Sequence, residues 1–409
     1  MPTSSVRREL AFVYAVTLAG MAAPALLLLA LVRLLDPGAY GRLAAAQGIA
    51  VFLGVFADFG LFYSGSAAVA RARERPERLG AVVAAGILLR ALASTAAALI
   101  AYALLTSHPL LSQNRTLPLL GALLTSAYGL SPAWLYWGLD RQTGLALAEH
   151  APRLLLLFLV LAAAGLGPLS PARVLLLQTL AVAGVYAVLW ARIGPVLSLR
   201  LPRTQTLLAL TRDSAKLFLY RLLAAGFANL NPYLLGLAAP AEAVGGFAAA
   251  ERVVRAGLSL TEPLLRYHLP KLKSRGKGAR RQLYRELALL SGTLFLLFAL
   301  FSRPLLGLLL GPRFAKTGTL GPVFAVLSLL LLLHPQGKAR LLAGVFAAGA
   351  TGRALAVEAI AFSAYALGAL ALYAGGWLSP LSLAGMLVAV EALILLLALL
   401  AERARRGRS

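Results

Sequence analysis

The sequence predicts an all-α polytopic membrane protein, with about 12 transmembrane helices in two six-helix lobes around a central cavity. Three observations carry this prediction: composition, the recurrence of long apolar stretches, and the placement of basic residues. Apolar and aromatic residues make up 60% of the 409, only 13% are charged, and the mean hydropathy is +0.81. A water-soluble chain of this length needs far more polar surface to cover its core.

Apolar stretches long enough to cross a bilayer recur from one end of the chain to the other. We expect twelve spans, at residues 11–32, 41–63, 79–105, 117–139, 152–169, 174–195, 217–238, 243–267, 289–310, 318–346, 354–375 and 379–401. Six spans fall in 1–200, which we expect to form the N-terminal lobe, and six in 201–409, the C-terminal lobe. The longest remaining pieces, 196–216 and 268–288, are expected to be short basic loops.

The formal charge of +24 follows the topology of the membrane. With the N-terminus inside, 29 of the 39 Lys and Arg residues fall in cytoplasmic segments and seven on the opposite side. This is the positive-inside rule, and attraction to anionic lipid headgroups adds to it. The chain is therefore expected to be a multi-pass membrane protein with both termini in the cytoplasm. Membrane lipids, and no nucleic acid, are its expected surroundings.

Signatures of enzymes are missing from the sequence. The chain has no Cys, which excludes disulfides, thiol catalysis and Cys-based zinc sites. It also has no phosphate-binding Walker loop, no zinc-type His pair and no clustered Asp pair of a magnesium site. We therefore expect neither an enzyme nor a cofactor or metal site. Transport would have to be driven by an ion gradient, the membrane potential or the gradient of the substrate, with H⁺ and Na⁺ both open as coupling ions.

A weak internal repeat connects the two halves. A shift of 204 residues places Tyr40–Gln47 on Val244–Glu251, matches Gly41 with Gly245, and sets Asp58 opposite Glu262. Together with the equal number of spans on each side, this favours a two-lobe transporter whose substrate passes between the repeats.

The eighth span carries an unusual stripe of charge. At 3.6 residues per turn one face holds Glu251, Arg255, Ser259, Glu262 and Arg266, with Arg252 beside it. Each charge near the bilayer centre costs roughly 2.5–3.5 kcal/mol. Glu251 can pair with Arg255, and Arg266 can extend to the interface, which leaves one formal cation at Arg252 and Arg255. Two interpretations stay open: salt bridges between helices, or a cationic cavity for an anionic substrate.

Charged residues in other spans have two interpretations as well. Arg90 has no carboxylate one helical turn away, and it either lines the cavity or packs inside the protein. Asp58 and Glu262 either lock an inner gate to nearby Arg or Lys residues or serve packing alone, and Glu251 and Arg266 complete this gating group. For Glu358 and Glu391 in the last two spans we favour a role without function, either as packing partners or as residues that face lipid.

Helix breakers interrupt two further spans. Pro232 falls in the middle of the seventh span and frees a backbone carbonyl, so the adjacent Asn229 and Asn231 are candidate substrate contacts. Pro335 interrupts the tenth span. If that helix continues to about residue 346, Lys338 and Arg340 lie partly within the membrane; if it stops at His334, they are cytoplasmic.

Three stretches are similar to motifs of the Wzx-type polysaccharide (O-antigen) flippases, members of the multidrug/oligosaccharidyl-lipid/polysaccharide exporter superfamily. "FADFGLFYSGSAAVAR" (56–71) resembles the second-helix motif, "SPAWLYWGLDR" (131–141) the end of helix four, and 244–274 the helix-eight signature with Gly245, Glu251, Pro263 and Pro270. The chain departs from the family at Phe62 and Ala67, where Asn and Arg are common.

The resemblance implies a flippase of the inner (cytoplasmic) membrane that moves an undecaprenyl-diphosphate-linked oligosaccharide from the cytoplasmic to the outer leaflet by alternating access. Asp58 would then be a gating carboxylate, and Arg252 and Arg255 would compensate the diphosphate or acidic sugars. A polysaccharide polymerase is a further expected partner. The alternatives are a drug or metabolite efflux antiporter of the same superfamily, for which a net-acidic cavity is expected, and a membrane scaffold that transports nothing.

Overall fold

The computed structural model describes residues 4–113, 115–268, 271–315, 318, 320–348 and 351–406. Throughout this part of the chain the regular structure is helical, and no β-strand forms. The fold class predicted from composition is confirmed: the protein is an all-α, multi-pass membrane protein.

Eighteen α-helices follow one another along the described residues. They are α1 (Ser4–Leu34), α2 (Pro37–Asp58), α3 (Leu61–Ala72), α4 (Pro76–Thr106), α5 (Thr116–Gly129), α6 (Ala133–Gly138), α7 (Gln142–Ala164), α8 (Pro171–Ile193), α9 (Thr204–Asn229), α10 (Asn231–Leu235), α11 (Ala241–Ser259), α12 (Glu262–His268), α13 (Lys271–Leu300), α14 (Ser302–Ala315), α15 (Leu320–Ser328), α16 (Leu330–Ala348), α17 (Thr351–Ala374) and α18 (Pro380–Arg406). A short 3₁₀ helix, Gly194–Val196, follows α8.

Nine helical segments of the described residues are long and apolar enough to cross a membrane. Three of the twelve predicted spans, 117–139, 217–238 and 243–267, are not among them. Each of the three is divided into two helices, and so are the candidate spans Pro37–Ala72 and Leu320–Ala343. The number twelve therefore stays a prediction. The repeated division is itself informative, since discontinuous helices in transporters gather around substrate and ion sites.

Two expectations about boundaries are wrong. The segments 196–216 and 268–288 were expected to be loops, but α9 begins at Thr204 and α13 at Lys271. The ninth span lies at Gly278–Leu300, about ten residues before the predicted 289–310, and Pro304–Phe314 is a shorter apolar stretch of α14, which is kinked at Gly311. Hydropathy locates apolar side chains, but a helix can continue through basic residues, because Lys and Arg have good helix propensity. The basic segment that begins at Lys271 therefore forms one helix with the apolar segment that follows it.

The chain divides into two compact units. The first comprises Met1–Leu35 and Arg42–Tyr233, and the second Asp36–Gly41 and Leu234–Ser409. Helix α9 thus belongs to the first unit, where it packs on α3 and α4. The lobe boundary between residues 200 and 201 was inferred from the number of spans and remains a prediction about the moving parts of the transporter.

The break in the second span lies at Phe59 and Gly60, between α2 and α3. Both residues have positive φ, 47° for Phe59 and 72° for Gly60. Glycine adopts this region without steric cost, but a bulky residue such as Phe59 does so only when its surroundings hold it there. Strained backbone of this kind is concentrated at functional sites, and here it directly follows Asp58.

Candidate functional site

Asp58 lies at the end of α2 in the first unit, where the charged side chains of three helices converge. Arg90 of α4 donates to Asp58 Oδ1, and Arg221 of α9 donates to Asp58 Oδ2. The same Oδ2 accepts the backbone N–H of Phe62 at 3.4 Å, at the start of α3. Asp58 is thus paired with basic residues, as one interpretation of the sequence expected, and the carboxylate serves two arginines at once. Its gating role stays a prediction.

Arg90 is almost fully buried, with 3% of its surface exposed. Its guanidinium also donates to the backbone carbonyl of Gly129 at 3.1 Å, at the end of α5, and to that of Ser131, in the break between α5 and α6. The same group lies 5.9 Å from the ring centre of Trp134. The structure therefore places Arg90 inside the first unit; its assignment as a substrate contact stays a prediction.

Arg221 is more accessible than Arg90, with 30% of its side chain exposed. Its guanidinium carbon lies 5.6 Å from the ring centre of Phe62 and 5.7 Å from that of Tyr63. Both rings contact Trp137, at 4.9 Å and 5.6 Å between centres. The Asp58 cluster thus has a buried side at Arg90 and an aromatic, partly exposed side at Arg221.

The charged face of α11 lies in the second unit. Arg255 donates to Glu251 Oε1 through Nε at 3.1 Å and through a terminal nitrogen at 2.6 Å, which confirms the predicted pair one turn apart. Glu251 is buried, whereas 37% of the Arg255 side chain is exposed. Arg252 donates to the hydroxyl of Tyr40 at 2.8 Å and lies 5.2 Å from the centre of that ring. Two formal cations and one carboxylate therefore share this face.

Glu262 begins α12 and forms an ion pair with Lys338 of α16, again within the second unit. Helix α16 continues through Pro335 to Ala348, so Lys338 lies within the candidate span Leu320–Ala343. Arg340 follows on the same helix and lies 4.4 Å from the ring centre of Tyr284. The Arg266 side chain, predicted to belong to this gating group, lies outside the described residues.

The predicted break in the seventh span is confirmed, because α9 ends at Asn229 and α10 begins at Asn231. The Asn229 amide donates to the carbonyl of Ala225 at 3.0 Å, one turn earlier in its own helix. Asn231 is fully buried. Neither placement tests their predicted contact with a substrate, which stays a prediction.

The C-terminal part of this broken span is held by a histidine in the loop between α4 and α5. His108 Nε2 lies 3.0 Å from the carbonyl of Tyr233, and its Nδ1 accepts the N–H of Leu110 at 3.2 Å. These two bonds assign the neutral tautomer with the proton on Nε2. Burial lowers the pKa of His108, and the hydrogen bond to Tyr233 opposes this shift in part.

Repeat-related residues meet at the start of α2 and of α11, in the second unit. A side chain on Gly41 would overlap the carbonyl of Ala241, and one on Gly245 would overlap the carbonyl of Pro37. Ala241 is the residue 204 positions after Pro37, just as Gly245 is for Gly41. The contact is therefore reciprocal, as in a self-complementary interface between duplicated segments, and it supports the repeat read from the sequence.

The sequence did not indicate two residues that contact these charged groups, Arg221 and Tyr40. Arg221 is one of the 29 basic residues that the charge pattern assigns to the cytoplasmic side, although it falls four residues inside the predicted seventh span, 217–238, and that position was the available signal. Tyr40 carries no charge and gave no signal, because its contact with Arg252 joins residues 212 positions apart.

Comparison with known proteins identifies the family. The sequence model of the polysaccharide biosynthesis protein family matches residues 6–267, more than half of the chain. The chain belongs to this family. No curated protein sequence matches it.

Solved structures with the same fold are transporters of the MOP superfamily, as the resemblance predicted. The lipid II flippase MurJ, in an inward closed conformation, has a TM-score of 0.75 at 10% identity, and the match covers 97% of this chain and 87% of the MurJ chain. An inward-facing multidrug resistance MATE transporter has a TM-score of 0.68 at 17% identity, covering 95% and 94%. The MATE multidrug transporter DinF-BH, in a ligand complex, has a TM-score of 0.63 at 14% identity, covering 96% and 95%.

Proposed function

We propose that this member of the polysaccharide biosynthesis family is a flippase that moves an undecaprenyl-diphosphate-linked oligosaccharide from the cytoplasmic to the outer leaflet by alternating access. It acts in the inner membrane with both termini in the cytoplasm and works beside a polysaccharide polymerase. Arg252 and Arg255 line the path of the substrate and compensate its diphosphate.

The observation that carries this proposal is the charge on α11. Arg252 and Arg255 lie in α11 beside the buried Glu251, and more than a third of the Arg255 side chain is exposed. A charged side chain within a membrane span faces the protein interior or a water-filled cavity rather than hydrocarbon, so the exposed part of Arg255 is the part available to a substrate. Guanidinium groups bind phosphate oxygens in a bidentate geometry that a lysine does not reproduce.

Asp58 and Glu262 are the gating carboxylates in this proposal. Each forms an ion pair with a basic residue from another helix, Asp58 with Arg90 and Arg221, and Glu262 with Lys338. A gate of this kind opens when the basic partner exchanges its carboxylate for water or for the phosphates of the substrate.

The experiment uses purified protein in lipid vesicles and two probes of opposite charge. One is farnesyl diphosphate linked to chitobiose and carrying a fluorophore, and the other is ethidium, a cationic aromatic dye. We expect wild-type protein to move the diphosphate-linked sugar, and Arg255→Gln to reduce that rate ~10-fold or more, as the loss of a charge-assisted hydrogen bond implies. Arg255→Lys should restore only part of the activity, because its ammonium cannot bind bidentately.

Arg200→Gln is the control, since Arg200 pairs with Glu77 on the surface with 59% of its side chain exposed. Transport of ethidium without transport of the diphosphate-linked sugar would identify the chain as an efflux antiporter, the second candidate, which its similarity in fold to two multidrug transporters favours. Failure to move either probe, by protein that is well folded in the vesicle, would support a scaffold role.

A further inference from the structure

Two buried carboxyl groups of the second unit take no part in the proposed substrate path. Glu358 lies in α17 and Glu391 in α18, both inside candidate membrane spans, with 9% and 8% of their surfaces exposed. The sequence favoured packing or contact with lipid for them, but an ionisable residue within a membrane span is costly and is therefore more often functional than structural.

Glu391 has a partner on a third helix. Its Oε1 lies 2.9 Å from Nδ1 of His334, in α16. When the imidazole is protonated and the carboxylate is ionised, the formal charges of this pair cancel. One turn further along α16, Lys338 pairs with Glu262 and cancels in the same way.

Glu358 is held differently. Its Oε2 is buried and accepts no hydrogen bond from any residue that the structure describes. Helix α17 packs against α18, which carries Glu391, and against α16, which carries His334 and Lys338, so the charges of these three residues act on Glu358. A buried carboxylate oxygen without a hydrogen bond costs several kcal/mol, and the nearby Glu391 repels a second negative charge. A proton on Glu358 removes both penalties.

We propose that Glu358, Glu391 and His334 form a proton-binding site in the second unit, with Glu358 carrying the exchangeable proton. Release leaves Glu358 as a carboxylate and passes one proton to water, and no other reactant is needed. The ligand is a proton rather than a metal cation because, among the described residues, no three His, Cys, Asp or Glu side chains are grouped so as to hold a metal ion, whereas one buried carboxyl group is enough to bind a proton.

This site also selects between the two coupling ions that the sequence left open, and that step rests on the proposed function. When Glu358 is neutral, the cluster buries no net charge. When it has lost its proton, the cluster holds one negative charge in an apolar span and favours a conformation that admits water. Proton loading and release therefore bias the two conformations of an alternating-access cycle.

The test measures the proton directly and needs no lipid-linked substrate, so its result is independent of the proposed function. Infrared difference spectra of the purified protein in lipid are recorded while the pH is raised through the neutral range. We expect a carboxylic-acid carbonyl band in wild-type protein that disappears as the pH rises. Glu358→Gln should lose this band completely and still fold, because the amide has the shape of the neutral acid.

Glu74→Gln is the matched control, since Glu74 is exposed in the loop between α3 and α4, and it should keep the band. Glu391→Gln should also keep it, because Glu358 remains. Equal spectra for wild type and Glu358→Gln at every pH would overturn the proposal, and so would a band that never changes with pH, since that proton would not exchange.

A second measurement uses the absence of cysteine from the natural chain. A single Cys introduced at Ser259, at the end of α11, is labelled with a maleimide while the pH of the vesicle suspension is changed. We expect the labelling rate, corrected for the reactivity of the free thiol, to change with pH in protein that keeps Glu358 and to become independent of pH in Glu358→Gln. A pH response that persists in Glu358→Gln would assign the switch to another group and contradict the link to conformation.

Discussion

Asp58 and Glu262 are 204 residues apart, at equivalent positions of the internal repeat, yet the two carboxylates are held very differently. Asp58 is paired with two arginines, and only 11% of its side chain is exposed. Glu262 is paired with one lysine, and 30% of its side chain is exposed. A buried pair that loses one partner leaves a charge without compensation, whereas a partly exposed pair leaves one that water can solvate. Opening the Asp58 cluster is therefore expected to cost more free energy than opening the Glu262 pair.

The largest effect is expected at Asp58. Asp58→Asn leaves Arg90 buried without its carboxylate, which costs about 3–5 kcal/mol in the free energy of unfolding. Thermal unfolding in detergent, followed by tryptophan fluorescence, measures the loss against wild type. Glu77→Gln removes one carboxylate from an exposed pair with Arg200 and serves as control, with at most about 1 kcal/mol expected. Equal melting temperatures for the two variants would show that the Asp58 cluster is not a stabilising one.

These clusters also show which contacts the sequence could predict and which it could not. The pair of Glu251 with Arg255 was predictable because both residues lie on one helix, four positions apart. The pair of Asp58 with Arg221 joins residues 163 positions apart, and no local pattern indicates which of many basic residues will meet the carboxylate. In the same way, Pro232 predicted the break in the seventh span, while the break at Phe59 depends on tertiary contacts that hold a bulky residue at positive φ.

The next effect, about 1–3 kcal/mol, is expected at the reciprocal contact of Gly41 and Gly245. Gly41→Ala and Gly245→Ala each drive a methyl group into a backbone carbonyl that cannot rotate away, so each should lower the melting temperature. Because the contact is reciprocal, the two losses should be similar, and the double variant should lose less than the sum of both. Gly184→Ala in α8 is the control, since nothing lies within 4 Å of the added carbon. Unequal losses would contradict the symmetry of this contact.

A smaller loss of stability, about 1 kcal/mol in the free energy of unfolding, is expected when His108 loses its hydrogen bonds. His108 bonds to Tyr233 of α10, in the seventh span, and Arg221 in α9 of the same span pairs with Asp58. The pKa of His108 is lowered in the folded protein. When the pH falls below about 6.5, the pKa of histidine in the unfolded chain, the folded state therefore binds fewer protons than the unfolded state. Its stabilising contribution is thus complete above that value and is lost as the pH falls towards the folded pKa. Protonation of Nδ1 also breaks the bond from Leu110.

Hydrogen exchange at the Leu110 amide is the measurement for this prediction. Exchange should accelerate as the pH is lowered through this window, after correction for the intrinsic pH dependence of exchange. His108→Gln should remove the acceleration, because its amide does not titrate. The Ser112 amide, which bonds back to the backbone carbonyl of His108, reports general loosening of the loop. Acceleration that survives in His108→Gln would place the titrating group elsewhere.

The smallest loss in the free energy of unfolding is expected for Glu262→Gln. Its contrast with Asp58→Asn is the most direct test of the difference between the two carboxylates. Glu262→Gln should cost about 0.2–1 kcal/mol, since both members of the pair are about one-third exposed. The double exchange Glu262→Lys with Lys338→Glu should recover that loss, and a double-mutant cycle in low and high salt measures the coupling energy, which should fall as salt screens the pair. The equivalent exchange of Asp58 with Arg221 should not recover stability, because Arg90 still requires a carboxylate at residue 58. If Glu262→Gln lowered the free energy of unfolding as much as Asp58→Asn, the two carboxylates would stabilise the protein equally. Only the aromatic, partly exposed side of the Asp58 cluster would then distinguish the two sites.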